Sequence, residues 1–186
     1  MQITFFGHNS FLFKSDISIL TDPFIASNPK AKHIVMEDIK ANHVLITHGH
    51  ADHLADLDKI MAHNDAKIIT MVEVASWLAK QGHSHSHSLN FGGTYKFSKE
   101  TSAKYVQAVH SSSMPDGSYG GHPGSFILKT EGKTIFIAGD TALHSDLKLF
   151  GELNDIDLAI LPIGGNYTMD TKDAVHAAKF LGCSQI

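Results

Sequence analysis

A chain of 186 residues with formal net charge -4, 42% hydrophobic and 18% charged residues has the size of one domain and the balance of an ordinary soluble globular protein. It has no Lys/Arg run to act as a footprint for nucleic acid, no apolar run near the ~20 residues of a membrane span, and no basic-then-apolar leader at its start. The single cysteine, Cys183, excludes an internal disulfide and fits a reducing compartment, so the chain reads as cytoplasmic.

Three short apolar runs open the chain, Ile3-Thr4-Phe5-Phe6, Phe11-Leu12-Phe13 and Ile17-Ser18-Ile19-Leu20, separated by polar turns. They predict a β-meander whose third strand ends in Thr21-Asp22-Pro23. Residues 24 to 42 read as irregular, with a turn at Asn28-Pro29. Val44-Leu45-Ile46 then predicts a buried strand, and Leu54, Leu57, Ile60 and Met61 recur at helical spacing behind it. Lys67-Ile68-Ile69-Thr70 is a further strand and 72–80 a second helix, and this alternation predicts parallel pairing through helical crossovers. Residues 81–93 read as a loop in which His83, His85 and His87 alternate with serines and stay exposed. Strands over 95–97 and 103–109 lead to His110, and the Ser/Gly/Pro-rich stretch 111–124 is expected to be a mobile loop. Residues 126–129 and 134–137 predict a hairpin through Glu131-Gly132 that closes at Gly139-Asp140. A helix over 145–153, a strand over 158–161 ending at Pro162-Ile163-Gly164-Gly165-Asn166, and a last helix capped by Thr171 complete the reading. Ala174, Ala177, Ala178 and Leu181 form the inner stripe of that last helix.

Chemistry concentrates at Thr47-His48-Gly49-His50-Ala51-Asp52-His53, where a strand passes into a helix. His48 and His50 are two residues apart, a spacing no helix face brings together, and Gly49 is expected to relax the backbone so that both rings aim one way. Asp52 and His53 fall in the first helical turn, where the helix dipole tolerates an anionic group. Imidazole and carboxylate donors without thiolates suit zinc, iron or manganese. Polar residues also follow other strands, at Asp22, His110, Asp140 and Asn166, the usual place for ligand sites in open α/β sheets.

His48-x-His50-x-Asp52-His53, a lone His110 and Gly139-Asp140-Thr141, in that order, resemble the metallo-β-lactamase-fold hydrolases. Gly7-His8-Asn9-Ser10-Phe11, Thr21-Asp22-Pro23 and the stretch from Pro162 to Met169 look like the branch similar to ascorbate-6-phosphate lactonase and N-acyl-phosphatidylethanolamine phospholipase D. The resemblance covers the whole chain and implies an α/β fold, the αββα sandwich, in a single domain over 1–186. Position by position it implies two divalent ions: His48, His50 and His110 on the first, Asp52 and His53 on the second, Asp140 bridging. It also implies a further histidine after a strand beyond Ile186. The 186 residues are therefore expected to lack a C-terminal strand and helix, and the second ion to be weakly held.

The expected activity is hydrolysis of a small ester, lactone or phosphodiester by a metal-bound hydroxide, with Asp52 orienting the water and shuttling its proton. The plain structural alternative for Asp52 is a helix N-cap. Asp22 reads either as the acceptor that fixes a ligand imidazole's tautomer or as a turn-forming residue before proline. His8 lines the cleft or serves the turn; Asn166 and Thr168 contact substrate or brace their loop. A non-catalytic metal-binding scaffold on the same fold is the competing function. The expected partner is a small molecule, and self-association is left open.

Overall fold

The computed structural model describes residues 1–186, and these divide into two compact units. The first comprises 1–89 and 112–121, the second 90–111 and 122–186.

In the first unit the sequence's alternation of apolar runs and crossovers produces one six-stranded sheet in sequential order. Its strands are β1 (Gln2–Gly7), β2 (Ser10–Lys14), β3 (Ser18–Thr21), β4 (His43–Leu45), β5 (Lys67–Met71) and β6 (Ser86–Leu89). The opening meander pairs antiparallel, with Phe5 opposite Phe11 and Leu12 opposite Leu20. From β3 onward the pairing is parallel. Leu20, Val44, Leu45, Ile68 and Ile69 are all fully buried, as expected for parallel strands covered on both faces. The crossovers carry α1 (Ala51–Leu54), α2 (Leu57–His63) and α3 (Val72–Lys80). Because β3, β4 and β5 run the same way, their C-terminal ends share one edge, and that edge receives Asp22 and the histidine cluster.

Two expectations change here. The helix after the cluster is broken into α1 and α2 at Asp56, whose backbone leaves helical geometry. Its N–H donates to Pro23 O (3.0 Å), and its buried carboxylate accepts from the Ile25 and Ser27 backbone N–H groups (2.7 and 2.9 Å), the Ser27 hydroxyl (3.1 Å) and Lys59 (2.8 Å). These long-range bonds outweigh one more turn of helix. The second change is in the predicted loop 81–93, where Ser86–Leu89 forms β6 beside β5, with Ile68 opposite Ser86 and Met71 opposite Leu89. Only Leu89 of this strand is buried, so backbone pairing sets it and no apolar pattern announces it; a polar edge strand also discourages further pairing. His83 precedes it, bonded to Asp58 (2.6 Å) and largely covered, whereas His85 and His87 are exposed.

The second unit holds β7 (Thr94–Lys96), β8 (Ser102–Gln107), β9 (Gly124–Thr130), β10 (Lys133–Ile137) and β11 (Leu158–Ile160), ordered β11-β10-β9-β8-β7. The β9–β10 hairpin turns through Glu131 and Gly132 at φ 49° and 70°, the left-handed pair that matches the strand twist. Its helices are α4 (Asp146–Leu153) and α5 (Thr171–Leu181). Val106, Ile127, Phe136, Leu147, Ala177 and Leu181 belong to one buried cluster, and Ala174 and Ala178 of α5 are buried as its spacing predicts. The α5 cap is Asp170 rather than Thr171: its carboxylate accepts from Lys172 N (2.8 Å) and Asp173 N (2.9 Å). A carboxylate at this position also meets the positive end of the helix dipole, which the Thr171 hydroxyl would not. Beyond α5 the chain lies along β11, where Gln185 O accepts from Ala159 N (2.9 Å). No helix is long and apolar enough to cross a membrane.

Candidate metal centre

In the first unit the strand-end residues converge through a hydrogen-bonded frame built on Asp22. Asp22 is fully buried at φ 33°, just past β3. Its Oδ1 accepts from Thr47 N (2.8 Å), and its Oδ2 accepts from the Thr47 hydroxyl (2.6 Å), the Asn9 amide (2.5 Å) and the Nδ1–H of His53 (2.7 Å). One carboxylate thus ties the β1–β2 turn, the end of β4 and α1 together. With Nδ1 held, Nε2 is the nitrogen of His53 suited to take an ion.

His48 is buried, with Nδ1 3.0 Å from the Thr47 hydroxyl. Its Nε2 lies 2.9 Å from His50 Nδ1, and its ring centre is 4.1 Å from that of His53. Two nitrogens from residues two apart therefore face one point. Asp52, on α1, is half-exposed and pairs with His8 Nε2 at 3.2 Å. That hydrogen bond holds its carboxyl well below the usual carboxylate range against the opposing effect of burial, so it is ionised at neutral pH. The N-cap position of α1 is taken by His50 rather than Asp52. His8, itself at φ 56°, stacks edge-on against His53 with ring centres 5.0 Å apart. Single donor atoms of His8, Asp52 and His53 all lie within 4.8 Å of one another.

Gly49 serves this frame through space rather than through backbone freedom, since it does not adopt a positive φ. A Cβ there would sit 2.5 Å from Met114 Sδ and 3.1 Å from Ser113 O. The segment 112–121 packs onto the histidine loop at this point, and the Ser112 hydroxyl accepts from Gly49 N (3.1 Å) and donates to Gly120 O (2.9 Å). An isolated bridge between Ser113 and Tyr119 folds the same segment back on itself, so this part of the expected loop has defined backbone pairing. Gly49→Ala is expected to lower stability by about 1–3 kcal/mol through overpacking, read by thermal melting.

In the second unit His110 follows β8 and Asp140 follows β10, with His110 Nε2 3.6 Å from Asp140 Oδ2. The buried Thr141 positions both: its hydroxyl accepts from Val109 N (3.0 Å), while Ala142 N donates to Val109 O (2.9 Å). Thr141 O also accepts from Met169 N (3.2 Å), drawing in the loop after β11. Removing the hydroxyl orphans the Val109 N–H, so Thr141→Val should cost about 1–2 kcal/mol in a denaturant titration. On that third loop Asn166 is exposed, and the Thr168 hydroxyl accepts from Gly164 N (3.2 Å), a bond within its own loop. Thr47, Ser112 and Thr141 were not singled out from the sequence. Thr47 and Thr141 stand inside the stretches 47–53 and 139–141 without a role of their own there, whereas Ser112 sits in a run of three serines that nothing distinguishes.

The donor set in each unit consists of imidazoles and carboxylates, with no thiolate and no Lys or Arg, and so fits a divalent cation. A β-lactamase superfamily domain profile matches residues 2–186. The chain belongs to the β-lactamase superfamily. A UPF0173 metal-dependent hydrolase of Flavobacterium johnsoniae is 47% identical over 187 residues, covering all of this chain and 82% of that relative. One of Bacillus cereus is 39% identical over 192 residues, covering all of this chain and 83% of its own. Among solved structures, Igni18, a metallo hydrolase from the archaeon Ignicoccus hospitalis, superposes with TM-score 0.87 at 34% identity, over 97% of this chain and 78% of that one. An isothiocyanate hydrolase from Delia radicum gut bacteria, at 19% identity and TM-score 0.76 over 98% and 81% of the two chains, shares the fold. This superfamily member has the metallo-β-lactamase fold and is a metal-dependent hydrolase.

Proposed function

We propose that this hydrolase cleaves small esters, lactones or phosphodiesters in the cytoplasm, using two divalent ions. His48, His50 and His110 would hold one, Asp52 and His53 the second, with Asp140 bridging; zinc, manganese and iron all suit these donors. The observation that carries the reading is the orientation of the imidazoles in the first unit: Asp22 holds His53 Nδ1 at 2.7 Å, Thr47 lies 3.0 Å from His48 Nδ1, and His48 Nε2 and His50 Nδ1 approach to 2.9 Å. Such buttressing is typical of metal-bound histidines. When bound, divalent ions supply a Lewis acid for the scissile carbonyl or phosphoryl oxygen and acidify water.

The chain's own residues do the rest. Asp52, ionised and directed by His8, orients the attacking water through a hydrogen bond and accepts its proton. Asp22 keeps the His53 tautomer fixed. Asn166 and Thr168 lie on a strand-end loop from which they would contact substrate. None of these residues is Lys or Arg, which favours a neutral or weakly anionic substrate over a phosphodiester. The buried Cys183 fits a reducing compartment.

The test is a panel of lactones, aryl esters and bis-p-nitrophenyl phosphate with Zn²⁺, Mn²⁺ or Fe²⁺ loaded, then stripped by chelator and restored. Turnover should follow the metal, and Asp52→Ala should lower it by about 100-fold or more. Metal bound tightly without turnover on any substrate would instead indicate a scaffold.

A further inference from the structure

Behind α1 the first unit contains a pocket of about 260 Å³ that the metal chemistry does not use. Ala51, Leu54 and Ala55 of the α1 turn face it, whereas Asp52 and His53 of the same turn do not line it. Leu57, Trp77, Leu78 and Pro115 supply the remaining apolar wall. The volume is below the ~300–1,000 Å³ of drug-sized sites, so a fragment-sized body fits it.

The polar groups lining this wall are Asp58, Gln81 and His83, and Asp116 stands beside it on the Trp77 indole. Asp58 lines the pocket and is itself 90% exposed, meeting His83 Nε2 at 2.6 Å. Asp116 accepts the Trp77 indole N–H at 2.7 Å, which fixes the ring at the wall. The Ser118 hydroxyl, followed by that indole N–H, brings Asp116 down to about 2, so it carries its charge throughout the neutral range. No Lys or Arg lines the cavity. A fixed indole, aliphatic walls, the Asp58 carboxylate on the rim and Asp116 behind the indole N–H are the recognition elements for an organic cation, whose charge is attracted both to the carboxylates and to the aromatic face.

We propose that this pocket is a second binding site, distinct from the metal centre, that takes a small organic monocation with an aryl or branched alkyl body. An occupant there touches the α1 turn that carries Asp52 and His53. The site stands whether or not the assigned metal ligands do.

Trp77 is the chain's single tryptophan, so its fluorescence reports on this pocket alone. Titration of the full chain with benzyltrimethylammonium should give a saturable change, at an affinity at least about tenfold above benzyl alcohol or phenylacetate. The double variant Asp58→Asn, Asp116→Asn retains hydrogen-bond acceptors and removes both charges. It should weaken the cation by about tenfold and leave benzyl alcohol unchanged. Equal affinity for the three compounds, no saturable response to the cation, or cation binding indifferent to the double variant would each overturn the proposal. Should the variant be destabilised, the three-compound series on the unaltered chain decides.

Discussion

Asp22→Ala is expected to cost the folded protein about 3–5 kcal/mol, because it removes one buried charge from four hydrogen-bonding partners at once. The Thr47 N–H and hydroxyl, the Asn9 amide and His53 Nδ1 all depend on a carboxylate with no solvent exposure. A methyl group removes every acceptor, and one water in its place accepts from only about two of the four donors. Asp22→Asn separates the charge from the shape. Its amide fills the same space, but the nitrogen can only donate, so one donor among the four must turn away or His53 must change tautomer. Thermal melts should rank the wild type above Asn, and Asn above Ala. On the proposed assignment of His53 to an ion, metal affinity should fall by about 10- to 100-fold in the Asn variant, as expected when the partner of a ligating imidazole is lost. Melting temperatures unchanged in both would show that the frame does not depend on this carboxylate.

Asp56→Ala should lower stability by about 3 kcal/mol, with a pH signature of its own. Burial alone would raise the Asp56 carboxyl, but Lys59 and the backbone N–H groups of Ser27 and Ile25 outweigh it and hold it below its ordinary value. The ionised group therefore stabilises the fold in full above about pH 3.8, the value expected once unfolded, and this contribution is lost as pH falls through its own lower value. Denaturant midpoints of wild type and variant should be well separated at pH 7 and converge in strong acid. A constant gap would assign the effect to packing alone. The two aspartates differ in what they protect: Asp22 orients a histidine, whereas Asp56 ends a helix and anchors the 25–27 turn.

Sequence reasoning fails where side-chain pattern and backbone pairing part company. β6 is the plainest instance: Ser-His-Ser-Leu carries no apolar alternation, and its backbone simply completes the parallel ladder of β5. The break between α1 and α2 is another, since Leu54, Leu57, Ile60 and Met61 keep helical spacing across it. Asp56 stops the helix through contacts with residues about 30 positions earlier, and no local window contains them. Gly49 is legible as a glycine that matters but not for its reason, because Met114 and Ser113 arrive from over 60 residues away.

By itself the sequence determined the family, the strand–helix order apart from β6 and the break between α1 and α2, and the residue types of the candidate metal centre. Motif spacing and apolar periodicity are local properties, written within a few residues of one another. Only the tertiary structure decided that Asp22 carries His53, that Thr141 clasps the backbone at Val109 beside His110, and that Ser112 holds Gly49. It alone also disclosed the pocket behind α1, whose walls come from three separate stretches of the first unit. Each of these rests on a hydrogen bond or a close approach between distant segments, and such contacts exist only once the chain has folded.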